Sequence, residues 1–124
     1  MLRIVAIAAG GAAGSLLRYW MSTGVYAILG RGFPYGTLVV NVVGSLLMGV
    51  CFVMFMERMV SSPEWRAAVL IGLLGAFTTF STFSMETLNL LEGGAYFRAA
   101  ANVVLSVVLC LAATWVGVVV GRQI

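Results

Sequence analysis

The chain has 124 residues, of which 62% are apolar and 9% charged, with a mean hydropathy of +1.10. A soluble domain carries about a quarter charged residues, so this composition places the chain in a lipid bilayer. Seven arginines against four glutamates give a net charge of +3, too small and too dispersed for a nucleic-acid surface. With no His, Asp or Lys, a histidine-based triad, a His-rich metal site and a lysine Schiff base are all excluded, and the chain does not read as an enzyme.

The first apolar stretch, residues 4 to 29, is interrupted only by Arg18 and reads as a membrane span rather than a cleaved leader, because further long apolar segments follow. Residues 32 to 56, 67 to 85 and 99 to 121 are uncharged runs of 25, 19 and 23 residues. About 20 residues suffice for a helix to cross the hydrocarbon layer, so each run spans once. The expectation is an all-α membrane protein of four transmembrane helices, forming one domain over residues 1–124. Short linkers separate the spans: Gly30 to Pro34, Glu57 to Glu64, and Glu92 to Gly94. Ser62, Pro63 and Glu64 have the order of a helix start. Cys51 and Cys110 lie alone in apolar runs and read as small buried hydrophobes.

This division puts Arg3, Arg58, Arg66 and Arg122 on one side of the membrane and Arg31 and Arg98 on the other, with Arg18 within the first span. So small a bias suits either a weakly oriented chain or one that inserts both ways and pairs antiparallel.

The second span holds Asn41 in an otherwise apolar run, where its amide needs partners as an interhelical bridge or as a ligand. The third span is the most unusual. Five hydroxyl side chains fall within residues 78 to 84, and helical spacing stacks Phe80 on Phe83, Ser81 on Ser84 and Thr79 on Thr82. The hydroxyls serve tight helix packing or a line of solvated ligand. Hydroxyl and β-branched residues after Gly72 and Gly75 also make a poor continuous helix, and the span is expected to break between Gly75 and Thr78. Carbonyls freed by such a break need protein, water or an ion, for example sodium. Phe80 and Phe83 either pack or present positive ring edges to an anion. Arg18 and Glu86 either pair with each other, or Arg18 draws anions to a pore mouth. In the fourth span, Asn102, Ser106, Cys110 and Thr114 recur every four residues as a polar stripe.

Three motifs carry a resemblance over essentially the whole chain: Gly10-Gly11-Ala12-Ala13-Gly14 with Arg18; Gly36-Thr37 with Asn41 and Gly44; and Gly75 followed by Thr78-Thr79-Phe80-Ser81-Thr82-Phe83-Ser84. The chain resembles the small bacterial fluoride channels called Fluc or CrcB. The resemblance implies a multi-pass protein of the bacterial inner membrane, a dual-topology antiparallel homodimer with two fluoride pores and a structural sodium ion at its centre. It places the sodium on the carbonyls of Gly75 and Thr78, lines the pore with Asn41, Phe80, Phe83, Ser81, Thr82, Ser84 and Thr114, and puts Arg18 in the vestibule. Its partners would be fluoride, lipid and a second copy of the chain, not nucleic acid. Cys110 departs from the serine common at its position, and a thiol is a weaker donor. The rival classes are a four-span drug exporter, which needs a carboxylate that residues 4 to 29 lack, and a non-transporting assembly subunit.

Overall fold

A computed structural model describes residues 1–58 and 60–124. Helix α1 runs over Leu2–Leu29 and ends at Gly30, whose φ of 80° is the left-handed conformation that a residue without a Cβ adopts freely. Helix α2 (Tyr35–Phe52) continues as a wider π-helical turn over Val53–Arg58. The short α3 (Pro63–Arg66) starts as its sequence indicates, with the Ser62 hydroxyl accepting from the Trp65 amide at 3.3 Å and Pro63 in the first turn. A π-helical stretch, Ala67–Leu73, leads into α4 (Leu74–Phe77). Helix α5 (Phe80–Glu92) and helix α6 (Tyr96–Gln123) complete the chain.

Together these elements make four helical segments long and apolar enough to cross a membrane: Leu2–Leu29, Tyr35–Arg58, Pro63–Glu92 and Tyr96–Gln123. This is a multi-pass membrane protein, with described residues that are helix or short connection. The third and fourth spans extend past their uncharged runs at both ends and the second past the C-terminal end of its run, because arginines and glutamates at the helix ends reach the membrane–water boundary.

Glycines set the packing. A Cβ at Gly10 would collide with the Ala68 carbonyl and one at Gly14 with the Leu73 carbonyl, so α1 meets the third span backbone to backbone. The same close approach joins α2 to α6, where Gly49 faces the Thr114 carbonyl and Gly117 the Leu46 carbonyl. In lipid the hydrophobic effect gives helices little reason to associate, and such close contact supplies dispersion instead. The interior is small: Val40, Val53, Leu74 and Phe77 are buried, while Leu16, Trp20, Val104, Leu111 and Trp115 are exposed. Cys51 and Cys110 are free thiols, half-buried rather than buried as expected.

One membrane face is fastened by arginines. Arg58 Nη1 donates to the Gly121 and Arg122 carbonyls at 3.1 and 3.2 Å, capping the end of α6, and Arg122 grips Glu57 through two bonds of 3.0 and 3.1 Å.

Candidate functional site

Midway along the third span the helix ends at Phe77, and it resumes at Phe80. Between them Thr78 (φ −84°, ψ 158°) and Thr79 (φ −153°, ψ 118°) are extended. The hydrogen bonds explain why this conformation is stable at membrane depth. Asn41 of α2 donates from Nδ2 to the Thr79 carbonyl at 2.9 Å and accepts from the Thr79 amide through Oδ1 at 2.8 Å. One side chain thus serves both backbone groups of Thr79, as a paired strand would. The amide is therefore an interhelical bridge, and one of its two N–H groups is left over.

Thr79 also caps α5, its Oγ1 accepting from the Thr82 amide at 3.2 Å and bonding to the Thr82 hydroxyl at 3.0 Å. These two substitutions have a consequence for the carbonyls. In a continuous helix the Thr79 amide would close on Gly75 and the Thr82 amide on Thr78. Here the first goes to Asn41 and the second to the Thr79 hydroxyl, so the Gly75 and Thr78 carbonyls lose those helical partners. Gly75 is exposed.

Asn41, Thr78, Phe80, Phe83, Cys110 and Thr114 line one cavity of about 420 Å³. Ser45, Met48 and Ser106 also line it, and no charged residue does. The Phe80 and Phe83 rings stand 5.3 Å apart at a tilt of 47°, and Phe80 is 77% exposed. Ser45 and Met48 follow Asn41 by four and seven residues, a helical spacing that extends the Asn41 face and would have revealed them in the sequence.

A second cavity, of about 270 Å³, lies on the other side of Thr79. Ser15, half-buried Arg18, Tyr19, Ser22, Thr37 and Thr82 line it, so Thr79 contributes to both cavities and Arg18 faces the second. Ser81 and Ser84 line neither cavity; they are exposed, and the Ser84 hydroxyl donates back to the Phe80 carbonyl at 3.0 Å. Thr114 makes the same kind of bond to the Cys110 carbonyl, at 2.9 Å.

The expected stripe on the fourth span divides. Ser106, Cys110 and Thr114 face the first cavity, whereas Asn102 is 2% exposed and donates to the Thr87 hydroxyl at 2.9 Å. A buried amide takes the nearest strong partner, and α5 supplies it. Nor do Glu86 and Arg18 pair. Glu86 accepts from the Thr37 hydroxyl at 2.6 Å and from the Tyr26 hydroxyl at 3.2 Å, and among the described residues the ion pair present is Arg122 with Glu57.

A family model described as CrcB-like protein, Camphor Resistance (CrcB), matches residues 5–118. The chain belongs to the CrcB family. Curated relatives carry the name fluoride-specific ion channel FluC. The relative from Methylococcus capsulatus is 60% identical over 123 residues, covering 99% of this chain and 54% of its own length. Those from Coxiella burnetii and Geobacter metallireducens are 50% and 52% identical over 124 residues and are matched over 100% of their lengths. The CrcB chain therefore spans about half of the first relative and the whole of the other two.

Proposed function

We propose that this protein is a fluoride-selective channel that lets fluoride leave the cytoplasm passively and so limits its toxicity. The observation that carries the reading is the uncharged cavity in which Asn41, Phe80, Phe83, Cys110 and Thr114 converge. Its relatives' names point the same way.

Fluoride holds its water tightly, and a pore must replace that water with short-range donors without binding the ion so strongly that it cannot leave. The free N–H of Asn41 is such a donor. Phe80 and Phe83 offer positive ring edges, which attract an anion with no countercharge to trap it. The Thr114 hydroxyl, and those of Ser81, Thr82 and Ser84, extend the donor set after rotating off their helix bonds or on exposed faces. Arg18, beside the adjoining cavity, raises the local anion concentration in the vestibule.

In this reading the working unit is an antiparallel homodimer of dual topology in the bacterial inner membrane. The exposed faces of Phe80, Ser81 and Ser84 then lie against the partner or the pore it completes, and the third span is the broken helix at its centre. The Gly75 and Thr78 carbonyls fit a sodium ion: both have lost their helical donors, and neutral backbone oxygen is a hard ligand suited to it. That ion would neutralise carbonyl dipoles facing one another at the interface, while Asn41 and the Thr79 cap hold the carbonyls open.

Reconstituted liposomes loaded with fluoride test the function. Rapid fluoride efflux with chloride retained is the expected result; no efflux, or chloride passing at a comparable rate, refutes it. An exporter or an assembly subunit would fail the same assay.

A further inference from the structure

On the membrane face opposite the arginine fastening, three helices meet at a single carboxylate. Glu86 lies six residues in from the end of α5 at Glu92, about 9 Å along the helix. An ionised group so placed is costly unless its oxygens are satisfied. Thr37, in the first turn of α2, donates to one oxygen and Tyr26, in the last turn of α1, to the other. The Tyr26 ring can cross to Glu86 because α2 has a glycine where they meet: a Cβ on Gly36 would overlap the ring. From the connecting loop the Arg31 guanidinium covers the ring, 4.6 Å from its centroid. A water-exposed cation is thus linked through an aromatic ring to a carboxylate within the span.

Glu86 lines neither cavity, although its partner Thr37 lines the one that Arg18 faces. A negative charge free to turn into that cavity would oppose Arg18 and repel an entering anion. We propose that Tyr26 is a positioning residue: seated over Gly36 and under Arg31, it holds the Glu86 carboxylate back from the Arg18 cavity, keeping the approach to the pore attractive to anions. This rests on the fluoride-channel reading for its effect on flux, but not for the clamp itself.

The test is a double-mutant cycle on the reconstituted full chain, reading fluoride efflux and the thermal unfolding midpoint. Tyr26→Phe keeps the ring and removes the donor; efflux should fall about tenfold, the order expected for losing one hydrogen bond to a charged group, and the midpoint should drop. With Glu86→Ala, which removes charge and acceptor together, the further change Tyr26→Phe should alter efflux less than twofold and leave the midpoint where it is. Equal effects in both backgrounds, or none in either, overturn the clamp. Should Glu86→Ala fail to assemble, Gly36→Ala decides: displacing the ring should reproduce the Tyr26→Phe defect and add less than twofold to it, and independent effects overturn the proposal. If the unaltered chain passes no fluoride, the channel reading falls, and the midpoint cycle alone judges the clamp.

Discussion

Replacing Asn41 by leucine keeps a side chain branched at Cγ and removes both bonds to Thr79, of 2.9 and 2.8 Å. The Thr79 N–H and C=O then lie at membrane depth without their partner, and each buried unsatisfied group costs about 1–3 kcal/mol, so the extended pair loses about 2–6 kcal/mol of support. The backbone has one cheap escape. If Thr78 and Thr79 become helical, the Thr79 amide bonds the Gly75 carbonyl and the third span runs unbroken. That relaxation recovers part of the loss but withdraws the carbonyls proposed to hold sodium and displaces Phe80 from Asn41's side of the cavity. Asn41→Leu is therefore expected to lower thermal stability in detergent or lipid and to cut fluoride efflux at least tenfold, since each 1.4 kcal/mol of lost transition-state support is about a factor of ten. Asn41→Asp retains an acceptor for the Thr79 amide but, ionised, sets its second oxygen against the Thr79 carbonyl and adds a charge that repels the anion; it should be no more stable than Asn41→Leu and no better at conduction. Near-normal efflux and an unchanged unfolding midpoint in Asn41→Leu would refute both the support of Thr79 by Asn41 and the donor role.

Phe80→Ile and Phe83→Ile each remove ring edges while keeping apolar bulk; efflux from liposomes should fall at least tenfold while size-exclusion chromatography finds the same species as for the unaltered chain, and normal efflux in both would remove the rings from the path. Asn102→Ala deletes an amide that is 2% exposed and bonded to Thr87, outside the cavity. It should cost about 1–3 kcal/mol of stability in a denaturant titration and leave efflux within threefold; a large efflux loss at unchanged stability would put Asn102 in the path after all.

The four spans are legible in the sequence because a bilayer imposes one crude requirement, a stretch of apolar residues long enough to cross, and charges mark the ends of each stretch. The Ser62 cap and the Gly30 helix end are equally local, written in one or two residues whose conformational preferences decide the matter. Asn41, Phe80, Phe83 and Thr114 stand out for a similar reason: polar or aromatic groups at unusual depth in lipid need an explanation, and a cavity gives them a common one.

What the sequence left open is the choice among competing partners. Asn102 and Thr114 share a helical stripe, yet one turns to Thr87 and the other to the cavity, because α5 passes close to only one end of α6. Glu86 and Arg18 look like natural partners by charge, but two hydroxyls from α1 and α2 reach the carboxylate instead. Hydrogen-bond geometry is short-ranged and directional, so its outcome depends on distances that periodicity does not encode. The sequence by itself determined a four-span membrane chain with an aberrant third helix. Only the tertiary structure decided that Asn41 from a neighbouring helix satisfies both backbone groups of Thr79, and with that which rings and donors face the cavities.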